Sequence, residues 1–256
     1  MDTSKNWRDR YYGPVIVIVG PTGSGKTSIS IEIAKKIGGE IISADSRAIY
    51  KFLDLGTAKP NKEDMDGVKH FGIDLVEPGD RFTVADWKNY ALKKIEEIRE
   101  RGHVPMIVGG TGLYVDALVY NYQFNRDEQK YCSDRDTIRP EYAIFGVKWS
   151  SEELRQRLMI RSERMFTQDL LYETQYLVKK YGWDNQAMKS NAYQFAWKYL
   201  VGDLTLDEAV EQNMYADWHL AKRQMTWFKR NATIRWLPLA KISDAVIKCI
   251  QDEQRK

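Results

Sequence analysis

Cysteine is almost missing from this sequence of 256 residues: Cys132 and Cys249 are the only two, too few for a disulfide framework and not set at a metal-ligand spacing. No run of 18 or more apolar residues occurs, which excludes a membrane-spanning helix. The first thirteen residues hold no apolar stretch of the kind a secretory signal needs, so a reducing, cytoplasmic setting is expected. Internal repeats and low-complexity linkers are also lacking. Residues 1–150 show no excess of either charge, with 22 Lys+Arg against 22 Asp+Glu, whereas residues 151–256 carry 17 against 14. The whole net charge of +3 therefore lies in the C-terminal part, a slight lean toward a polyanionic partner there.

Apolar residues make up 43% of the chain, enough for one large domain or a domain with a small appendage. Short β-branched runs alternate with helical patterns, which predicts an α/β fold: a parallel sheet with helices on both faces. Val15–Val19 reads as a buried central strand, and residues 25–37 as a helix with Ile29, Ile33 and Ile37 on one face. Further strands are expected at 40–44, 104–108 and 142–147, with helices at 84–102 and 151–166. Thr205 and Glu208 form a capping-box pattern that opens a long helix to about Asn231. Residues 120–140 carry the least pattern and read as an irregular excursion.

Gly20, Pro21, Thr22, Gly23, Ser24, Gly25, Lys26 and Thr27 match G-x-x-x-x-G-K-[ST], directly after a strand and before a helix. Small residues let the backbone curl so that several N–H groups aim at phosphate oxygens, and the helix N-terminus adds partial positive charge. Lys26 supplies a full charge, Thr22 and Ser24 line the cradle, and the Thr27 hydroxyl can ligate Mg²⁺. The pattern predicts a diphosphate or triphosphate ligand, with a chance glycine-rich turn as the plainer reading. Guanine-recognition strings occur only as overlapping runs at 61–64 and 64–67, in the wrong order and in one polar loop, which makes them coincidental. The strand at 104–108 ends in Gly109-Gly110-Thr111-Gly112, and the strand at 40–44 is the only one followed by an acid, Asp45.

In order and spacing, residues 20–27, 43–50, 55–60, 108–114, 153–165 and 220–228 resemble the tRNA dimethylallyltransferases. The resemblance covers most of the chain and implies a fold like the P-loop NTPases, put to a different use. The loop would hold dimethylallyl diphosphate, and the acceptor would be N6 of an adenine in the tRNA anticodon loop, adenine 37. Loss of diphosphate builds negative charge that backbone N–H groups, Lys26 and Mg²⁺ can absorb. By resemblance Asp45 is the base that orients the amine and takes its proton, with a helix cap or a Mg²⁺-associated carboxylate as the plainer readings. Thr111 would be a second polar contact to the amine, unless it only turns strand into helix. Of Arg157, Arg161 and Arg164, which share one helix face, Arg161 matches the family's diphosphate-binding arginine. Arg157 and Arg164 could equally form a solvated basic face, with Glu153 pairing to Arg157.

The RNA side would draw on Asp45, Ser46, Arg47, Ala48 and Thr111, and on Tyr193, Lys222 and Arg223. Aromatic residues interleave with cations around 193–199 and 218–230, as a splayed RNA loop requires. Trp227 and Phe228 would otherwise be core. The family's helical insertion is cut to about twenty residues here, so residues 1–118 and 142–256 are expected to form the core with its C-terminal helices, and 119–141 a reduced insertion. Ala192 stands where the family has glycine, and Asp169-Leu170 where it has Gly-Leu. Weaker or less selective tRNA binding, by a monomer, is the expectation. Transfer to free AMP or ADP, small-molecule phosphorylation, and RNA binding without catalysis stay open as alternatives.

Overall fold

The computed structural model describes residues 10–124, 131–132 and 139–254. In chain order the elements are β1 (Val15–Val19), α1 (Lys26–Ile37), β2 (Gly39–Ser43), α2 (Lys62–Met65), β3 (His70–Phe71) and α3 (Val84–Glu100). Then come β4 (Val104–Gly109), α4 (Gly112–Val119), β5 (Gln123–Phe124), β6 (Tyr131–Cys132), β7 (Tyr142–Lys148) and α5 (Ser151–Met165). The chain finishes with α6 (Gln168–Tyr181), α7 (Asn191–Leu200), α8 (Leu206–Phe228), β8 (Arg235–Pro238) and α9 (Leu239–Gln254).

Six strands pair in the order β3-β2-β4-β1-β7-β8, all parallel, so the expected α/β class holds. β1 is fully buried and serves both faces: Val15, Val17 and Val19 pack with α3 and α4, Ile16 and Ile18 with α1 and α9. That is the two-sided burial a continuous apolar strand demands. Parallel strands also put all their C-terminal ends on one edge, where ligands of open α/β sheets bind. The loops after β1, β2 and β4 therefore converge. A third core, under α6 and α7, anchors the loop at 49–53 through Ile49 and Leu53.

Several boundaries differ from expectation. β2 begins and ends one residue earlier than predicted, leaving Ala44 and Asp45 beyond the ladder. The long helix ends at Phe228, because residues 229–231 turn off to feed β8. The polar stretch after Pro60 contains a short helix, not only loop. Asn61 and Asp64 cap each other's backbone N–H groups there, which accounts for the guanine-like string by helix capping. Within 120–140, β5 and β6 pair antiparallel, so the described part is not wholly irregular. Most of the reduced insertion, and the first nine residues read for a signal, lie outside the described residues. No described helix is long and apolar enough to cross a membrane.

Candidate functional site

One cavity of about 1200 Å³ opens at the C-terminal edge of the sheet. Its walls are the phosphate loop from Thr22 to Thr27, the segment 45–48, the turn at 109–111, and Arg157, Arg161 and Arg164 of α5. Arg223 and Gln224 of α8 close it.

The phosphate loop is held in shape before any ligand arrives. Gly25, at the cap of α1, has φ +83°, a conformation glycine adopts without strain. Lys26 Nζ folds back to donate to the Pro21 carbonyl at 2.7 Å and to Ser24 Oγ at 3.5 Å. Burial pushes its pKa down to about 8; Asp45 nearby opposes that fall and Arg161 adds to it. Gly20 and Pro21, predicted to touch diphosphate, are buried and do not line the cavity. Pro21 acts at one remove, through its carbonyl on Lys26.

Arg161 donates to Thr22 Oγ1 and pairs with Asp217 Oδ2 at 3.5 Å, while Asp217 Oδ1 accepts from Asn191 Nδ2 at 2.8 Å. A buried carboxylate thus fixes the guanidinium over the loop. Arg157 behaves otherwise. Its Nε donates to the Gly23 carbonyl at 2.9 Å and its guanidinium lies 4.6 Å from the Trp149 ring centre, so it braces the loop. Glu153 does not pair with it and caps Ser150 instead. Arg164 is exposed at the cavity wall.

Asp45 stands just beyond β2, at the cavity. Its Oδ1 accepts the Arg47 N–H at 2.8 Å, a local turn bond, and the carboxylate still forms part of the cavity wall. Thr111 sits at the N-cap of α4 but makes no side-chain cap bond there. Its Oγ1 accepts from the Ser46 N–H at 3.0 Å and donates to Ser46 Oγ at 3.3 Å, while its own N–H reaches the Ala44 carbonyl at 3.1 Å. The hydroxyl therefore ties the loop after β4 to the loop after β2, right beside Asp45. Arg47 reaches away to the Gln186 carbonyl, and Ala48 is buried at the cavity wall.

The RNA-side expectations divide. Arg223 is exposed and lines the cavity; Lys222 is exposed beside Trp218, 4.9 Å from its ring, and is not part of the wall. Tyr193 is overturned as a stacking face: it is 0% exposed. Its hydroxyl donates to Glu173, whose carboxylate also accepts the Leu55 and Gly56 N–H groups. A Cβ on Gly56 would stand 2.5 Å from the Tyr193 ring, so only glycine lets the ring lie so close. Phe228 is core, while Trp227 is partly buried and donates to Asp116 at 2.9 Å.

Three functional groups escaped the sequence reading: Gln224, Asp217 and Trp149. Gln224 stood inside the 220–228 block and was legible only as its neighbour. A magnesium ion fits the donor set in one way. Among the described residues no three His, Cys, Asp or Glu gather, but the exposed Thr27 hydroxyl faces the same cavity as the loop amides. That suits an ion held by one protein oxygen, phosphate oxygens and water.

The model of the family described as IPP transferase matches residues 48–139 and 123–231. A tRNA dimethylallyltransferase of Acetivibrio thermocellus is 35% identical over 285 aligned positions, covering 87% of this chain and 91% of the relative. Since 87% of 256 residues take part in those 285 positions, about sixty of them face no residue here. The solved tRNA isopentenylpyrophosphate transferase of Staphylococcus epidermidis superposes with a TM-score of 0.83 at 31% identity, covering 94% of this chain and all of that one. The full-length enzyme of Bacillus halodurans gives 0.81 at 29%, covering 95% and 99%. With its phosphate loop, its acid after β2 and its threonine after β4 on one cavity, the chain belongs to the IPP transferase family.

Proposed function

We infer that the protein transfers the dimethylallyl group of dimethylallyl diphosphate to N6 of an adenine in tRNA, at position 37 beside the anticodon, and releases diphosphate. The observation that carries this reading is the convergence of a phosphate loop, the Asp45 carboxylate and the Thr111 hydroxyl on a single cavity large enough for a diphosphate and a base together.

The amide groups of Thr22–Thr27, Lys26 and Arg161 would hold the diphosphate and take up the charge that grows as the C1–O bond breaks. Magnesium, ligated by Thr27, would supply further charge neutralisation when bound. The N6–C1 bond forms as the C1–O bond breaks, and the N6 proton passes to the Asp45 carboxylate. Thr111 holds the Ser46 backbone and so fixes the approach of Asp45 to the amine. Arg223, on the cavity wall, would meet the RNA backbone.

Residues 119–141 form the reduced insertion in this reading. The two family matches overlap at 123–139, which supports a break there. One chain supplies every group named, which supports a monomer as the working unit, and we propose the cytoplasm as its setting.

Mass spectrometry of nucleosides tests this after incubation with labelled dimethylallyl diphosphate and either tRNA or AMP. Label on the tRNA adenine is the expected result. Label on AMP alone, or ATP turnover without the prenyl donor, overturns it.

A further inference from the structure

We propose that the outward face of α6, together with Phe52, is an RNA-binding strip that receives the tRNA strand leaving the cavity. The proposal rests on tRNA being the acceptor.

Gln168, Tyr172, Gln175, Tyr176 and Lys179 follow one another at spacings of four, three, one and three residues, which places them along one face of the helix, and all are exposed. Tyr172 is 60% and Tyr176 48% exposed, a large apolar area to leave in water. The two acids of α6 are engaged elsewhere. Glu173 turns inward to the Leu55 and Gly56 N–H groups, and Asp169 belongs to the cavity wall.

Beside this face stands Phe52, 40% exposed at φ +65°, a conformation a bulky residue adopts only under constraint. The Tyr176 and Tyr181 rings flank it with centres 6.4 Å away, and Lys180 Nζ lies 4.4 Å from its ring centre. The rings and the cation are therefore in place in advance.

Continuity with the cavity and charge complementarity select the occupant. Thr167 and Asp169, where α6 starts, line the cavity, as does the exposed Leu55, three residues from Phe52. From there α6 runs outward for 14 residues, about 21 Å at 1.5 Å per residue. Rings interleaved with lysines offer stacking surfaces to bases and charge to phosphates, the means by which single-stranded RNA is bound. A base drawn into the cavity requires its neighbours to leave by such a route.

The test is steady-state prenylation of tRNA by the double variant Tyr172→Ala/Tyr176→Ala. KM for tRNA should rise roughly tenfold or more, by the usual cost of losing a stacking ring. Saturated kcat and KM for dimethylallyl diphosphate should stay as in the wild type. Tyr172→Phe/Tyr176→Phe should bind tRNA like the wild type, since stacking needs the ring and not the hydroxyl. Lys179→Gln should flatten the salt dependence of tRNA affinity by about one phosphate contact. An alanine variant that melts like the wild type and keeps its tRNA KM overturns the strip and leaves prenyl transfer standing. A wild-type protein that accepts no tRNA overturns both.

Discussion

The side-chain amide of Gln224 accepts the Thr22 backbone N–H at 2.8 Å, and its other end donates to the Gly110 carbonyl at 3.0 Å. One residue of α8 thus clasps the phosphate loop to the turn that holds Thr111. Gln224→Ala removes both bonds, each worth about 1 kcal/mol, so kcat/KM should fall about tenfold or more. Both substrates should show it in KM, whereas a defect in one subsite would move only one. Gln224→Glu can still accept from Thr22 but cannot donate to Gly110, and its charge should raise the donor KM most. Initial rates with each substrate varied in turn decide this.

Asp45 carries a turn bond and a proposed proton transfer, and Asp45→Asn separates them. The asparagine oxygen can still accept from Arg47, so the loop should keep its shape. The amide cannot take a proton, and kcat should drop on the order of 10² or more. Donor affinity, measured by calorimetry with a diphosphate analogue, should be unchanged. Near-normal turnover would remove Asp45 from its role.

The phosphate loop and its strand and helix were legible because local sequence dictates them: an apolar run, small residues, then a lysine and a threonine. Asp45 and Thr111 were legible by resemblance. Gln224 was not, because a glutamine on a helix acquires meaning only from what stands opposite, here residues 202 and 114 positions earlier. Arg157 shows the same limit. The i, i+4, i+7 spacing put three arginines on one face correctly, but only the fold turns the first to the Gly23 carbonyl and Trp149. Tyr193 was misread because an aromatic residue near cations looks the same whether its ring faces RNA or core. β8 and α9 left no separate forecast, since a four-residue edge strand carries too little pattern to stand out.

Lys26 should give the proposed donor site a pH dependence. Burial lowers its pKa to about 8, and bound diphosphate raises it again, because the charged form is then paired. Below about 8 the amine is charged in the free protein, and this group adds no pH dependence to binding. Above about 8 the free protein has lost a proton that the complex needs, so donor affinity should weaken by up to about tenfold per pH unit, with proton uptake on binding. Lys26→Met should bind weakly and without that slope. Calorimetry in buffers of different ionisation enthalpy measures the proton uptake directly.

Tyr193 is placed to shape the loop at 54–57 and not to touch RNA. Its hydroxyl donates to Glu173, and burial holds the Glu173 carboxyl above its usual range although that same bond and the Leu55 and Gly56 N–H groups pull it down. Tyr193→Phe removes one of the groups lowering the Glu173 pKa, so the carboxyl should titrate higher still. A carboxyl already raised by the fold lends its stability at low pH and withdraws it as pH climbs through its folded value. Raising it further should make the variant lose relatively more stability above that value than below it. The loss at neutral pH should be about 1 kcal/mol, the worth of one buried hydrogen bond, read as a lower Tm. KM for tRNA should hold within about twofold while the ring keeps its seat on Gly56. A variant with unchanged Tm and a large rise in tRNA KM would instead put the Tyr193 hydroxyl against RNA.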